Sequence, residues 1–439
     1  MEAFDSMKET SINIFNQDVP ESELYKCVHC GFCLQACPTY LETSLETESP
    51  RGRIALMKAV NEKRINITPN VIRHWDLCIQ CRACETACPS GVEYGKLIEG
   101  TMKHIMPIRN TNKISKWLSK IIMNNIVINR NLLNILFNLT KFYQRSGFQA
   151  LLRKTKLLNL FIPKLAELER SLPFIPSKSF KTKGQLLKTN TSKKKKVALL
   201  SGCLMPFIHG PEMEAVTRIL NYNGCDVIVP AEQVCCGALH SHVGDIDKTV
   251  ELAKKNINAF LESDIDSIIT SSAGCGSRMK EYYNLFHQDD EYLQKAKEFS
   301  EKTKDISEFL VELPFEFPKG TIKRTVTYQD SCHLLNSQQI ADAPRKILNS
   351  IPGIKFVELK NSSICCGGGG TYTITERELS KKVLKSKMQE INKSDASIVA
   401  TSNPGCLIQM QYGVELFKTK AKICYVTDLL DEAYQISNY

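Results

Sequence analysis

From Val197 onward, short β-branched and apolar runs alternate with longer amphipathic stretches. Val197–Leu200, Val227–Val229 and Ile268–Thr270 read as strands, and Thr325–Tyr328, Lys355–Leu359 and Ile398–Ala400 repeat the series. Helical stretches of about 12 to 18 residues separate them, the alternation that builds a parallel sheet with crossover helices. Nearer the start, Ser49-Pro50 forms an N-cap and first-turn pair that opens a helix through about Arg64, with Ile54, Leu56, Ala59 and Val60 on one apolar side. Between these regions Trp117, Leu118, Ile121 and Ile122, then Leu132, Leu133, Leu136 and Leu139, recur at helical intervals. The pattern predicts an α+β and α/β multidomain chain. It divides into a helical N-terminal domain (1–100), a helical linker (101–196) and a duplicated Rossmann-like α/β region (197–320 and 321–439).

Composition excludes some classes and localises one feature. With 439 residues, 43% hydrophobic and 24% charged, the chain folds as ordinary globular domains, and no stretch reaches the roughly 18 uncharged apolar residues of a spanning helix. Met1 to Ser22 has no apolar core of a secretory signal, so a cytoplasmic location with reduced thiols is expected. The net charge of +10 is not spread evenly, because residues 101–196 hold 21 Lys or Arg against two acids, Glu167 and Glu169. Such a basic amphipathic face can rest peripherally on anionic lipid or on an acidic partner, or its helices can pack internally and leave a solvated basic side. Arg130 and six asparagines between Ile121 and Thr140 oppose insertion across a bilayer. No nucleic-acid-reading motif accompanies the charge, so no nucleic-acid partner is expected. Lys193 to Lys196 read as the end of an exposed linker.

Eighteen cysteines in a reducing compartment point to metal ligation rather than disulfides. Eight fall in two runs, Cys27, Cys30, Cys33, Cys37 with Pro38 and Cys78, Cys81, Cys84, Cys88 with Pro89. Each reads C-x2-C-x2-C-x3-C-P, the pattern of two-cluster ferredoxins, in which the fourth cysteine of a run ligates the other cluster. On that crossed scheme Cys27, Cys30, Cys33 and Cys88 hold one [4Fe-4S] cluster, and Cys37, Cys78, Cys81 and Cys84 hold the second. Zinc knuckles instead bring two short cysteine pairs together. The helix opened by Ser49-Pro50 would cover the clusters.

The duplicated region carries its own cysteines in register. Cys203 is followed by Cys235-Cys236-Gly237 and Cys275, and Cys332 by Cys365-Cys366-Gly367 and Cys406, with spacings that agree within one residue. Each cysteine is expected on a loop at a strand's carboxyl end, the edge where open α/β sheets bind ligands, and the two copies are expected to face one another. Three readings stay open for each set: ligation of an additional iron-sulfur or metal centre, contact with a small electron carrier, or a structural role. Cys225 and Cys424, at strand starts, read as small buried hydrophobes. Gly367 to Gly370 would let backbone approach whatever Cys365 and Cys366 hold. His240, His242 and His333 adjoin the cysteines and read either as proton relays or as ordinary histidines. Arg278 either offsets thiolate charge or is solvated.

Cys27-Val28-His29-Cys30-Gly31-Phe32-Cys33, Ser49-Pro50-Arg51-Gly52-Arg53 and Cys84-Glu85-Thr86-Ala87-Cys88-Pro89-Ser90-Gly91-Val92, with two downstream Cys-Cys-Gly modules, resemble the glycolate oxidase iron-sulfur subunit over nearly the whole chain. The resemblance implies an electron-transfer subunit of a complex whose flavoprotein subunits oxidise a 2-hydroxy acid, glycolate to glyoxylate. Two [4Fe-4S] clusters would pass electrons toward a membrane or quinone-type acceptor, and FAD would belong to the partners, since no G-x-G-x-x-G loop is found here. Iron-sulfur subunits for lactate or glycerol-3-phosphate oxidation and of heterodisulfide reductase share the architecture. In the last, the modules end in C-x-x-C and five cysteines bind a non-cubane cluster. Here Ser272 and Asn403 stand at the first position of that ending, leaving four of the five.

Overall fold

A computed structural model describes residues 19–109, 117, 119–180, 184–189 and 195–437. The polar start falls almost wholly outside these, as do Lys113, Leu118, Lys193 and Lys194. The chain forms two compact units, one reaching Asn112 and including Leu239–Ile246, the other made of Lys113–Ala238 and Asp247–Tyr439.

In the first unit the Ser49-Pro50 signal works as read. The Ser49 hydroxyl accepts from the Gly52 amide at 3.0 Å and the helix runs Pro50–Asn61. It buries Ile54, Met57, Ala59 and Val60, while Leu56 stays at the margin. The apolar side is thus rotated from the one expected, and Met57 occupies its centre. Gly52 is obligatory, since a Cβ there would lie 1.9 Å from the Glu46 carbonyl oxygen. Trp75 from the helix Pro69–Asp76 and Leu97 and Ile98 from Tyr94–Ile105 close the core. The distant segment Leu239–Ile246 joins this unit through backbone acceptors. The Gln80 amide donates to the His242 carbonyl at 2.8 Å and Arg109 to that of Val243 at 3.2 Å. Gly244, at φ +94°, approaches Met102 so closely that a Cβ would lie 2.3 Å from its carbonyl oxygen.

The second unit contains two sheets. Strands β1 (Gln185–Leu187), β2 (Lys195–Leu199), β3 (Cys225–Val229), β4 (Ser267–Thr270) and β5 (Thr303–Asp305) pair in the order β1-β3-β2-β4-β5. Strands β6 (Arg324–Tyr328), β7 (Ile354–Phe356), β8 (Ile398–Thr401) and β9 (Lys422–Tyr425) pair as β7-β6-β8-β9. All pairings are parallel except β1 with β3. The six expected strands are present, with the fifth ending at Phe356 rather than Leu359. Three more, β1, β5 and β9, extend the sheets. β1 and the start of β2 come from the region read as linker, so Lys195 and Lys196 open a strand instead of ending a loop. Cys225 begins β3 and is buried, whereas Cys424 lies within β9.

The two cysteine-bearing copies face one another inside this unit. Asn403 Oδ1 accepts from the Gly274 amide at 3.1 Å, and Gln338 donates to the Ala273 carbonyl at 2.9 Å. Arg218 grips Asp431 with two hydrogen bonds, at 3.0 and 2.7 Å, and Tyr222 stacks on Tyr434. The basic helices pack on the same body in part. From the helix Arg130–Arg145, Leu133 is buried and Phe137 stacks on Phe207. Both linker acids serve as fasteners. Glu167 pairs with Arg377 and Lys381, and Glu169 accepts from Tyr143, Gln149 and Arg153. On the other side of that helix Leu132, Leu136, Leu139 and Phe142 are exposed.

Candidate iron-sulfur and thiol sites

The two N-terminal cysteine loops share a backbone device. His29 and Gln80 precede the second cysteine of their runs, Gly31 and Arg82 follow it, and all four have φ between +56° and +90°. These left-handed residues turn each loop in the same sense. Proline after the fourth cysteine then starts a helix at Pro38, with Cys37 extended at its N-cap.

Cysteines of both runs lie together in the first unit. Cys27, Cys30, Cys33, Cys84 and Cys88 line one open concavity with Arg51, Ile54, Val92 and Tyr94. Cys37, Cys78, Cys81 and Cys84 lie close enough that the charges of the first three all act on Cys84. Burial pushes Cys33 up to about 11, against the backbone amide of Arg51, and raises Cys78 and Cys84. Such thiols ionise only when a cationic core replaces their protons. Among the described residues no three His, Cys, Asp or Glu converge as a single metal ion requires. Five thiols from the two runs line one concavity, a soft donor set of the kind a multi-iron core takes, so these residues fit the group.

Donors surround the sulfurs. The Val92 amide reaches Cys88 Sγ at 3.5 Å, the Gln80 amide reaches Cys78 Sγ at 3.4 Å, and the Tyr94 hydroxyl reaches Cys78 Sγ at 3.7 Å. Beside Cys37 stands a buried polar network of Arg53, Glu48, Thr39 and His74, of which only Arg53 belongs to a motif quoted above. Arg53 donates to Glu48 at 3.0 Å, to Thr39 Oγ1 at 3.2 Å and to the His74 carbonyl at 2.7 Å. Thr39 lies 3.2 Å from Cys37 Sγ, and His74 Nδ1 is 2.5 Å from the second Glu48 oxygen. Burial opposes the Arg53 charge, but Cys78, Tyr94, Cys37 and Glu48 outweigh it and hold its pKa above the ordinary value.

In each α/β copy four thiols come from three separate segments. Cys275 and Cys406 lie in the first turn of a helix (Ala273–Lys280 and Pro404–Phe417), not on loops as expected, because each helix starts directly beyond its strand. The thiols make chains of hydrogen-bonded neighbours, Cys203–Cys235–Cys236–Cys275 and Cys332–Cys365–Cys366–Cys406. Ser272 hydrogen-bonds Cys275, and Asn403 donates to Cys406 Sγ at 3.6 Å. The residues at the missing fifth positions thus contact the last sulfur of their own chain. Within the first chain, contact with Cys203 raises Cys235, contact with Cys235 raises Cys236, and contact with Cys236 together with burial raises Cys275. In the second, Cys365 is lowered by Cys332 and Cys366, and Cys406 by Cys366.

Other candidates resolve differently. Gly367, at φ +82°, turns tightly against the helix Arg377–Lys393, and its amide donates to Cys365 Sγ at 3.4 Å. Arg278 is buried, so the solvated reading fails. His240 and His242 lie in the segment that joins the first unit, and His333 faces Gly274 across the two copies. Sequence reasoning missed Lys387, whose ammonium is buried in the second copy and pushed down to about 8 by burial, against the pull of Cys366, Cys365, Asp330 and Cys406.

Three family models match the chain: a 4Fe-4S dicluster domain over 23–92, the linker region of the glycolate oxidase iron-sulfur subunit over 114–172, and a cysteine-rich domain over 197–280 and again over 326–411. A probable glycolate oxidase iron-sulfur subunit of Bacillus subtilis is 42% identical over 427 residues, covering 96% of both chains. The glycolate oxidase iron-sulfur subunit of Escherichia coli is 30% identical, covering 88% of this chain and 89% of its own. The crystal structure of a hypothetical protein from Helicobacter pylori shares the fold, with a TM-score of 0.51 at 9% identity over 94% of this chain and 72% of that one.

Proposed function

The chain belongs to the glycolate oxidase iron-sulfur subunit family, and from that premise we propose that it conducts electrons within a complex whose flavoprotein subunits oxidise glycolate to glyoxylate. The electrons leave toward a membrane or quinone-type acceptor. The observation that carries the reading is that cysteines of two distant loops come together, Cys27, Cys30 and Cys33 with Cys84 and Cys88 around the open concavity, and Cys37 of the first run near Cys78 and Cys84 of the second. Cys27, Cys30, Cys33 and Cys88 would hold one [4Fe-4S] cluster, and Cys37, Cys78, Cys81 and Cys84 the other. Such clusters, when bound, supply one-electron transfer. The residues do the rest: Ile54, Trp75 and Leu97 exclude water, and the amides of Gln80 and Val92 stabilise negative charge on sulfur. Cys30 is exposed beside exposed Val28 and Phe32, which gives a carrier a place to dock close to a sulfur ligand.

The test is anaerobic purification with native partners, followed by low-temperature paramagnetic resonance during glycolate addition. Two centres should become reduced on glycolate. Reduction by lactate or glycerol-3-phosphate alone would assign the complex to that substrate, and a preparation free of iron and acid-labile sulfide would defeat the conduction role.

The exposed leucines and basic side chains of the linker support peripheral attachment to an anionic membrane surface. No helix among the described residues is long and apolar enough to cross a membrane. Replacing exposed Lys120, Lys154 and Lys156 with Gln is expected to weaken binding to vesicles containing anionic lipid about 100-fold at low salt, from about 1 kcal/mol per charge near the surface. At high salt the difference should shrink. Co-sedimentation measures it, and unchanged binding would leave these helices a packing role alone.

A further inference from the structure

The linker helices expose more apolar surface than their packing on the second unit uses. On the helix Arg130–Arg145, Leu133 is buried, whereas Leu132, Leu136, Leu139 and Phe142 follow at helical spacing on the exposed side. The helices Phe148–Thr155, Leu157–Phe161 and Pro163–Arg170 come next, each in contact with the one before. They add Phe148 and Leu151, then Leu160, Phe161 and Ile162, all exposed. Leu160 and Phe161 are 75% and 73% exposed at adjacent positions, where a soluble surface would carry polar groups. So long a series of large apolar side chains marks a surface that docks on something.

Charge decides what it docks on. The two acids of residues 101–196 are both occupied inside the unit, Glu167 with Arg377 and Lys381 and Glu169 with Arg153. The exposed charges beside the apolar series are cations, among them Arg145, Lys154, Lys156 and Arg170. A second copy of this chain would set cations against cations. An anionic bilayer offers both complements in one surface, phosphates at the top and acyl chains directly beneath. Lys154 and Lys156 precede Leu160 by six and four residues, and their long stems can lie along an apolar layer while the ammonium stays among phosphates.

Resting on the peripheral attachment proposed above, we propose that the linker inserts: Leu160, Phe161 and Ile162 enter the acyl boundary of an anionic bilayer while Lys154 and Lys156 hold the phosphates. Arg153 also pairs with Glu415 at 3.5 Å, and Glu167 pairs with Arg377 at 3.1 Å, so the chain on both sides of this anchor is tied to the second cysteine-bearing copy. Insertion therefore holds that copy at the bilayer surface.

The test uses the full chain and vesicles of phosphatidylglycerol and phosphatidylcholine. Wild type should bind at low salt and stay partly bound at high salt, because apolar contact is not screened. Leu160→Ser combined with Phe161→Ser should still bind at low salt, but its binding at high salt should fall about 100-fold for the loss of two large apolar side chains. Both positions are exposed, so its iron content should equal that of wild type. The emission of Phe161→Trp should be quenched by lipid brominated on the acyl chains, beyond any quenching of wild type, whose tryptophans are Trp75 and Trp117. Complete release of wild type at high salt, a serine variant that holds as firmly as wild type, or no added quenching in Phe161→Trp would each overturn insertion. Binding at low salt in those cases would leave the electrostatic attachment standing, and its absence would defeat that reading as well. A serine variant that binds vesicles like wild type but loses a co-purifying subunit would make the face a protein interface and overturn the proposal.

Discussion

Replacing Cys37 with Ser should remove the cluster assigned to Cys78, Cys81 and Cys84 and spare the one assigned to Cys27, Cys30 and Cys33, even though Cys37 belongs to the first run in sequence. The turn geometry explains why. Cys37 is extended and Pro38 begins a new helix, so its sulfur leaves the loop formed by the three preceding cysteines. It comes to lie with Arg53 and Thr39 and acts on Cys78 and Cys84. About half of the iron and sulfide of the N-terminal unit should be lost, because a four-iron core missing one thiolate is poorly held. Cys88→Ser is the mirror experiment and should spare the second set. Paramagnetic resonance on the two anaerobic variants distinguishes them. If Cys37→Ser removes only the signal that Cys30→Ser also removes, ligation is not crossed.

What the sequence made legible was local. The Ser49-Pro50 cap is set by neighbours a few residues apart, and it opened the helix it predicted. Five of the six expected strands, β2, β3, β4, β6 and β8, lie inside their sheets and were equally clear, because inner strands covered on both faces need apolar runs; the sixth, β7, is a half-buried edge strand. β1 was not, since Gln185–Leu187 is short and largely exposed and is a strand only because β3 offers an edge. Nor was the assignment of Leu239–Ile246 to the first unit, which depends on backbone carbonyls at His242 and Val243 that carry no sequence signal. Lys387 was hidden for another reason. It lies among Lys381, Lys382, Lys385 and Lys393 on one helix, and such a run reads as a solvated face until burial singles out one member.

Arg53→Met is the second large effect expected, and it separates two roles of one side chain. Arg53 and Glu48 are both almost fully buried and hydrogen-bonded to each other, so deleting the guanidinium leaves a buried carboxylate with His74 in place of its charged arginine partner. Breaking such a pair costs about 3–5 kcal/mol, a large share of a domain's stability. The single variant should therefore lose iron from both N-terminal sets on warming, at a lower temperature than wild type. Adding Glu48→Met removes that carboxylate, and replacing a whole buried pair with apolar groups is often neutral. In the double variant the unit should fold and keep the cluster of Cys27, Cys30, Cys33 and Cys88. Without the Arg53 charge beside Cys37 and Cys78, however, the second cluster should become harder to reduce, because each added electron then meets uncompensated negative charge. A double variant that recovers stability and leaves both reduction signals unmoved would make Arg53 a packing element only. One in which the second cluster alone stays shifted makes it the counter-charge of that site.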